Sequence, residues 1–452
     1  MNHRNLIKNR DDIGITSSRR SALDIIEAGI ERVLPDRVLG EALTFNHEAR
    51  AISIMGDTFS FRHGRLFVVG AGKAAGEMAV AVERILGAGT ITAGVVSCKG
   101  GAYSTKRIEV LIAGHPVPDE RGVAAAIRML DLKAEFNISS DDIVLCLLSG
   151  GGSSLLPGPV NGVSLADKQR VTDHLIRSGA DIGEINAVRK HLSRVKGGGL
   201  GRHFEPATVV SLIISDVVGN EPSVIASGPA AADPSTFIDA LSVIRKYGLA
   251  DGLPPSVLDY LERGRRGEAP ETPKTLPNCR NYIVGDNRLA LEAAAQRAAA
   301  LGYRPLIITS EQTGDTAAIA RYRAAEIITG KYAAYNVLLL GGETTSRVPG
   351  NAGRGGRNQH YTAASMLAME NYPGNWLVCA IGTDGTDYLA EVAGAVVDQE
   401  ALATARRQGI DIVSHLERFD SNTLLNTLGH SLVVTGETGT NVGDAVLYML
   451  GG

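Results

Sequence analysis

The sequence predicts an α/β protein with two α/β domains, whose mostly parallel sheets are covered by helices and face each other across a cleft. Three observations predict this fold. Short β-branched and aliphatic runs alternate with amphipathic stretches of helical period. The 53 glycines cluster directly after those apolar runs, where α/β proteins place their ligand loops. A chain of 452 residues, 44% of them apolar, is long enough for two hydrophobic cores.

The amino-terminal half consists of strand-loop-helix units with glycine-rich loops. Residues 66–69 (LFVV) predict a strand, the turn GAGKAAG follows, and an amphipathic stretch then reaches Ile85. Further buried strands are predicted at 91–97, 143–148 and 208–214. Such alternation favours a parallel sheet with ligand loops at the carboxyl ends of its strands.

A domain boundary is predicted near residues 262–280, which are rich in proline, glycine and charge and have no hydrophobic period. The predicted domains are 1–265 and 280–452. The second domain repeats the strand-loop theme in NYIVGDN, RPLIITS, NVLLLGGETTS, WLVCAIGTDGTD and SLVVTGETGTNVGD. The last of these segments is expected to end a strand and open a final helix.

Charge and composition narrow the class of partner. The net charge is −4 and no long block of lysine or arginine occurs, so we expect a small-molecule partner, not nucleic acid or a membrane surface. The first twenty residues lack an apolar core, and no segment approaches the roughly 18 apolar residues that span a bilayer, so a cytoplasmic location is expected. Four scattered cysteines predict buried free thiols.

The first candidate site is the turn that contains Gly70, Gly72 and Lys73. Backbone N–H groups at a strand-to-helix turn bind anions, and a lysine adds a point charge. The spacing GxGxxxG differs from the dinucleotide fingerprint GxGxxG, and the chain has no GxxxxGK[ST]. The next strand ends at Ser97 and is followed by Lys99 without an acid for a ribose, which disfavours NAD. A tight packing turn with a solvated lysine is the alternative.

The second candidate site combines a glycine loop with a basic segment. Bare amides and hydroxyls in this loop favour a polyphosphate, and the residues are Ser149, Gly150, Gly151, Gly152 and Ser153. A serine nucleophile is disfavoured because no GxSxG surrounds it, and a simple flexible loop stays open. Lys196 lies in a basic run before three glycines and is expected to reach a phosphate or carboxylate. A solvated basic helix face, including Arg189, is the alternative.

Three carboxylates follow predicted strands: Asp216, Glu343 and Asp384. Carboxylates at such positions hold Mg²⁺ and accept a hydroxyl proton during phosphoryl transfer, although each alone is often a helix cap. Arg357 lies in the glycine-rich segment GRGGRNQ, where its guanidinium suits a carboxylate or phosphoryl oxygens, unless this is a disordered loop. Asn441 lies in a final loop of hydroxyl and glycine residues that favours an anion.

Taken in order, these motifs resemble the glycerate 2-kinase family, whose carboxyl-terminal half is called the MOFRL domain and whose members are often labelled hydroxypyruvate reductases. The motifs are GAGKAAGEMA at 70–79, GHPVPDERG at 114–122, LSGGGSSLL at 148–156, NAVRKHLSRVKGGGLG at 186–201, SDVVGNEPSVIASGP at 215–229, GGETT at 341–345, GRGGRNQ at 353–359, GTDGTD at 382–387 and TGTNVGD at 438–444. The resemblance implies a Rossmann-like glycerate kinase domain and a MOFRL-type domain, with the active site in the inter-domain cleft and with ATP and Mg²⁺.

The resemblance also implies roles for individual residues. Lys73 and Arg357 are expected to be the key catalytic cations. Further polar groups of the site are expected at Asp216, Glu343, Asp384 and Asn441, with Asp216 or Asp384 holding metal or orienting the hydroxyl. The glycine loops, Lys196, Glu343 and Asn441 are expected to bind the nucleotide, and Asp216 is also expected to take part in catalysis.

The expected reaction is phosphorylation of D-glycerate to 2-phosphoglycerate. Two departures from the family pattern leave the acceptor open: His360 replaces a usual glutamate, and residues 388–392 differ from the usual sequence. A related four-carbon or branched sugar acid, an NAD(P)H-dependent hydroxypyruvate reductase and a binding protein that has lost the reaction are the alternatives. A homodimer is the default expectation.

Overall fold

The computed structural model describes residues 5–451 and divides into two compact units. The N-unit comprises Val38–Ile214 and Asn220–Val284. The C-unit comprises Ser215–Gly219, Gly285–Gly452 and the amino-terminal segment up to Arg37, as far as these are described.

Helices and strands alternate along most of the chain. In chain order the helices are α1 Arg10–Ile13, α2 Ser17–Arg32, α3 Pro35–Ala42, α4 Ala75–Leu86, α5 Glu120–Glu135, α6 Gly152–Leu155, α7 Leu165–Arg177, α8 Ile182–His191, α9 Gly199–His203, α10 Phe237–Lys246, α11 Pro255–Arg265, α12 Asn287–Ala300, α13 Thr316–Ile328, α14 Arg357–Ala368, α15 Gln399–Arg407, α16 Ile412–Glu417 and α17 Ser421–Leu428. The strands are β1 Leu43–Asn46, β2 Ala51–Ile54, β3 Asp57–Ser60, β4 Leu66–Ala71, β5 Ile91–Cys98, β6 Ile108–Ile112, β7 Ile143–Ser149, β8 Thr208–Ile214, β9 Cys279–Gly285, β10 Pro305–Gln312, β11 Val337–Gly342, β12 Trp376–Gly382, β13 Gly394–Asp398, β14 Leu432–Val433 and β15 Asp444–Leu450.

The N-unit is built on a six-stranded sheet of order β6-β5-β4-β7-β8-β9. The pairs β4–β5, β4–β7, β5–β6 and β7–β8 are parallel, as the sequence predicts. Every residue of β4 and β7 is buried, because α4 and other helices cover the sheet. Two-sided burial explains why these strands are continuous apolar runs. A small antiparallel sheet, β1–β3, was not predicted because its strands have four residues each.

The domain boundaries differ from the prediction at both ends. The strand β9 lies at the edge of the N-unit sheet beside β8, so the compact units divide after residue 284. The proline-rich stretch before β9 is a connection within the N-unit. Near the amino terminus, α2 packs against α12 of the C-unit, and Ile26 and Ile30 share a buried core with Leu291. Composition marks a loop, but packing decides which sheet the following strand joins.

The C-unit sheet has the order β10-β11-β15-β12-β13-β14, and here the expectation of a mostly parallel sheet is wrong. Only the β10–β11 pair is parallel, and the other four pairs are antiparallel. Both faces are nevertheless buried: along β11, Leu338 and Leu340 lie in one core, and Val337 and Leu339 lie in another. Two-sided burial produces the apolar run whatever the strand direction, so the run could not reveal it.

The direction of β15 determines which groups meet at one edge of the sheet. β15 lies between β11 and β12 and is antiparallel to both. Asp444, its first residue, is in register with Gly342 of β11 and with Gly382 of β12. The segment TGTNVGD therefore opens a strand, and the predicted final helix is wrong.

Two smaller expectations can also be compared with the structure. The four cysteines are buried free thiols, which confirms the prediction. No helix within residues 5–451 is long and apolar enough to cross a membrane.

Candidate functional site

Two glycine turns of the N-unit meet at the carboxyl ends of β4 and β7. These strands are neighbours, with Ala71 in register with Leu148. The N–H of Lys73 donates to the carbonyl of Gly150 at 2.8 Å, and the N–H of Ala74 donates to Ser149 Oγ at 2.9 Å. The two predicted anion loops are thus hydrogen-bonded to each other and form one structure.

Glycine is required where these turns approach each other. A Cβ on Gly70 would lie 2.1 Å from the carbonyl oxygen of Leu147. Gly72 has φ +148°, and its Cβ would lie 2.1 Å from Ser149 Oγ. A Cβ on Gly151 would lie 3.1 Å from Cγ of Lys73, so the lysine side chain passes close to this loop. The close approach of the backbones agrees with the interpretation as a packing turn, and the N–H groups of Gly72, Lys73 and Ala74 all donate to acceptors within the protein.

The segment after the second turn is held by buried lysines. Lys196 is 2% exposed, and its Nζ donates to the carbonyls of Ser153 at 2.6 Å and Leu156 at 3.0 Å. Nζ of Lys168 donates to the carbonyl of Pro157 at 2.7 Å. Burial, and then the charge of Arg189, lower the pKa of both lysines well below the usual range. Lys196 therefore supports this loop through backbone carbonyls in the structure.

Arg189 was grouped with a solvated helix face, but the structure places it beside the same loop. Its Nη2 donates to Ser153 Oγ at 2.6 Å, and its side chain is half-buried. The sequence contains one indication of this role, because Arg189 lies in the same basic run as Lys196. No local pattern distinguishes it from the adjacent cation Lys190, which pairs with Asp233 at 3.1 Å.

In the C-unit, Arg357 opens α14 and is held by two carboxylates. Its Nε and Nη2 donate to the two oxygens of Asp444 at 2.6 and 3.0 Å, and its Nη1 donates to Glu343. Burial alone would lower the pKa of Arg357, but the charges of Asp444 and Glu343 raise it above its ordinary value. The guanidinium is thus charged and fixed in orientation.

A third carboxylate, Asp387, was not predicted as a site residue. It is buried and accepts four N–H bonds: from the backbone and side chain of Asn358 at 3.0 and 3.3 Å, and from those of Gln359 at 2.9 and 3.0 Å. Burial raises the pKa of Asp387 to about 6, against the effect of these donors. A Cβ on Gly356 would lie 2.0 Å from the carbonyl oxygen of Asp387. The second aspartate of GTDGTD therefore caps the helix that begins with Arg357.

The remaining predicted residues of the C-unit lie in two loops. Nδ2 of Asn441 donates to Asp216 Oδ2 at 2.6 Å. Asp384 accepts from the N–H and hydroxyl of Thr386 at 3.0 and 3.1 Å, and its carbonyl accepts from the N–H of Thr438 at 3.2 Å. The loops that carry Asp384 and Asn441 are thus joined.

A metal role for these carboxylates depends on their donor chemistry. Within residues 5–451, no group of three or more histidine, cysteine, aspartate or glutamate side chains could hold a metal. Mg²⁺ is usually bound by one or two carboxylates together with water and substrate phosphates. The oxygen donors of Asp216 and Asp384, both half-buried, fit that mode of binding.

Comparison with known proteins adds to this geometry. The model of the domain of unknown function DUF4147 matches residues 21–262, and the MOFRL family model matches residues 336–444. Glycerate 2-kinase from Pyrococcus horikoshii is 38% identical, over 95% of this chain and 98% of its own length. The chain belongs to the glycerate 2-kinase family. The crystal structure of glycerate kinase from Thermotoga maritima matches with a TM-score of 0.81 at 37% identity, covering 96% of this chain and all of that one (100%).

Some relatives of this chain carry the name hydroxypyruvate reductase in place of glycerate kinase. A relative from Agrobacterium vitis called a putative hydroxypyruvate reductase is 41% identical, over 86% of this chain and 88% of its own length. The two names thus occur among relatives of one glycerate 2-kinase family, as the sequence motifs indicated.

The two departures from the family pattern have different surroundings. His360 is buried, and its ring stacks on Phe419 with 4.8 Å between centroids. Burial lowers the pKa of His360, which favours the neutral ring. In the second departure, Tyr388 is 92% exposed, and Glu391 pairs with Arg354 at 3.2 Å. The histidine is therefore a packing residue, while residues 388, 390 and 391 of the second departure are exposed and Val392 is buried.

Proposed function

We propose that this member of the glycerate 2-kinase family transfers the γ-phosphoryl group of ATP to the 2-hydroxyl of D-glycerate, giving 2-phosphoglycerate and ADP. The observation that carries the proposal is the hydrogen-bonded pair of glycine turns at the ends of β4 and β7, beside which Lys73 lies. The N–H groups of residues 72–74 donate to acceptors within the protein, so the first turn contributes the amino-terminal end of α4, which favours negative charge, and the compact positive charge of Lys73.

Residue roles follow from what phosphoryl transfer requires. Charge on the equatorial oxygens must be neutralised, and donor and acceptor must be held in line. We assign to Lys73 the neutralisation of phosphoryl charge. We assign a second positive charge to Arg357, whose orientation Glu343 and Asp444 fix.

The acidic groups complete the proposal. Mg²⁺ supplies charge neutralisation on the nucleotide phosphates, and Asp216 or Asp384 would hold it. The other of these two aspartates would orient the acceptor hydroxyl. Asn441 fixes the carboxylate of Asp216 by its hydrogen bond.

A coupled ATP-consumption assay with Mg²⁺ tests the reaction, using D-glycerate and a panel of three- to five-carbon hydroxy acids. We expect ADP release with D-glycerate, and a decrease in kcat of about 10²- to 10³-fold in Lys73→Ala, as for the loss of one transition-state donor. Lys106→Ala is the control, because Lys106 is an exposed lysine of the same unit. Turnover with another acid alone would keep the kinase and change its substrate.

The reductase alternative is tested in parallel by NAD(P)H oxidation with hydroxypyruvate. The spacing of the first turn and Lys99 after β5, in place of a ribose-binding acid, both disfavour it. NAD(P)H oxidation without ADP release would overturn the kinase proposal. A cytoplasmic location and a homodimer stay predictions.

A further inference from the structure

Three cations surround the segment that follows the second glycine turn, and we call Lys168, Arg189 and Lys196 the cation cluster. Their side chains donate to the carbonyls of residues 153, 156 and 157 and to the hydroxyl of Ser153. Within residues 5–451, none of the three forms an ion pair with a carboxylate. Only the dipoles of carbonyl and hydroxyl groups thus compensate the positive charge of the cluster.

Other buried cations of this protein have a carboxylate. Lys190, the next residue on α8, pairs with Asp233 at 3.1 Å, and Arg19 pairs with Asp398 at 2.7 Å. Burying a charge without a counterion is costly unless the charge is neutralised or has a function. The cation cluster therefore differs from its surroundings in lacking the acid that its neighbours possess.

Arg189 is the member of the cluster whose positive charge is least affected by burial. Burial and neighbouring positive charge lower the pKa of the two lysines, whereas a guanidinium stays protonated in proteins even when burial lowers its pKa. A permanent positive charge with no protein anion attracts an anionic ligand.

The orientation of Arg189 is set by a directed chain of hydrogen bonds. Arg189 donates to Ser153 Oγ at 2.6 Å, the hydroxyls of Ser153 and Ser227 are 2.8 Å apart, and Ser227 donates to Asn186 at 3.1 Å. Because Ser227 uses its proton toward Asn186, the proton between the serines comes from Ser153. This chain uses one guanidinium nitrogen and leaves a planar group with further N–H donors, which suits a carboxylate bidentately.

The position of Arg189 connects it with the proposed reaction. Ser153 follows Gly151 by two residues, and Gly151 is the glycine beside the Lys73 side chain. In a 2-hydroxy acid, the carboxylate carbon is bonded directly to the carbon that bears the reacting hydroxyl. A group that binds the carboxylate must therefore lie near the cation that serves the phosphoryl group.

We propose that Arg189, oriented by Ser153, binds the carboxylate of the hydroxy acid and makes the enzyme selective for acids over neutral alcohols. This inference rests on the proposed function and names the side chain that recognises the substrate class. Lys196 acts as a positioning residue, since it holds the carbonyl of Ser153 from the buried side.

The test compares Arg189→Ala and Arg189→Lys with Arg194→Ala, an exposed arginine on the same basic segment. We expect Arg189→Ala to raise the KM for D-glycerate about 10- to 100-fold, the range for a lost charge-assisted hydrogen bond, with the KM for ATP within about twofold of wild type. Arg189→Lys keeps the positive charge but lacks the planar guanidinium that donates two parallel hydrogen bonds, so its KM for D-glycerate should lie between those of wild type and Arg189→Ala. Arg194→Ala is expected to behave as wild type.

Activity with a neutral acceptor distinguishes a binding role of Arg189 from a structural role. Loss of a structural residue would lower the activity with both acceptors. Glyceramide presents the same hydroxyl without the carboxylate charge, so Arg189→Ala should leave its kcat/KM nearly unchanged while that for glycerate falls. Equal losses for both acceptors, or a change in the KM for ATP alone, would overturn the assignment. An unchanged KM for glycerate in Arg189→Ala would do the same.

Ligand-induced thermal stabilisation separates this inference from the proposed function. D-Glycerate should raise the unfolding temperature of the wild type and of Arg194→Ala, but not that of Arg189→Ala. If the wild type binds glycerate in this way without releasing ADP, the proposed function fails and the binding role of Arg189 stands. If Arg189→Ala is stabilised as much as wild type, the inference fails whatever the activity. Should Arg189→Ala not fold, D-glycerate should raise the unfolding temperature of Arg189→Lys by less than that of wild type, and an equal rise would overturn the inference.

Discussion

The two units place cationic side chains at glycine-rich loops in opposite electrostatic settings. In the N-unit, Arg189 and Lys196 meet only hydroxyl and carbonyl oxygens. In the C-unit, Arg357 is bound by the carboxylates of Asp444 and Glu343. The cations of the N-unit thus meet no carboxylate, whereas the cation of the C-unit meets two.

Strand direction supplies part of the reason for this difference. The paired strands of the N-unit sheet are parallel, so only their carboxyl ends reach the ligand edge. In the C-unit, the antiparallel strand β15 brings its first residue, Asp444, between the ends of β11 and β12. Similar strand-loop sequences can therefore place cations without acids at the edge of one sheet and acids around a cation at the edge of another.

The largest expected effect tests whether the paired arginine is functional. Arg357→Ala should lower kcat about 10²- to 10³-fold, because in the proposed function it removes a fixed positive charge that stabilises the transferring group. Arg354→Ala is the matched control: Arg354 lies in the same glycine-rich segment, and its partner is the exposed Glu391. Steady-state kinetics with ATP and D-glycerate provide the measurement. An equal decrease in kcat in the two variants would mean that Arg357, despite its pairing with carboxylates, matters no more for activity than Arg354.

The pH dependence of the free energy of unfolding tests whether burial raises the pKa of Asp387 in the C-unit. Burial raises the pKa of Asp387 from its ordinary value of 3.8 to about 6. Between these values the folded protein binds more protons than the unfolded chain, so stability falls as pH rises and is constant above about 6. A shift of about two units corresponds to about 3 kcal/mol. The free energy of unfolding of wild type minus that of Asp387→Asn should therefore fall from pH 4 to 6.

Asp142 of the N-unit is the control for this pH effect. Burial acts to raise its pKa, but hydrogen bonds from Arg65 and from the backbone lower it overall. The stability that Asp142 contributes is present above its unfolded value and is lost as pH falls, so the difference between wild type and Asp142→Asn should be flat from pH 5 to 7. A flat Asp387 curve between pH 4 and 6 would show that this carboxylate titrates normally.

The smallest expected effect concerns the packed glycine turns of the N-unit. Gly70→Ala should lower the free energy of unfolding by about 1 to 3 kcal/mol, because its Cβ would lie 2.1 Å from the carbonyl oxygen of Leu147. Gly40→Ala is the control: Gly40 lies in α3 with no atom within 4 Å of the added Cβ, and alanine favours helix. Chemical denaturation of both variants measures the difference. Tolerance of alanine at Gly70 would remove the packing argument for the first turn.

Much of the N-unit could be predicted from local sequence. Four of its strands, the glycine turns after β4 and β7 and the buried cysteines follow from apolar runs and from the residues that end them. Arg189 could not be separated from Lys190, because its partner Ser153 lies 36 positions away in the chain. The sequence motifs do include Asp387 and Asp444, but nothing local indicates that they surround Arg357.

The sequence by itself determined the α/β class, the position of most strands, the glycine turns and the family to which the chain belongs. Those features depend on local period and on short motifs, which neighbouring residues specify. Only the tertiary structure decided the direction of β15, the assignment of β9 to the N-unit sheet, and which cations receive a carboxylate. These depend on pairings between distant parts of the chain. The sequence of a strand that is buried on both faces does not indicate its neighbouring strands or its direction.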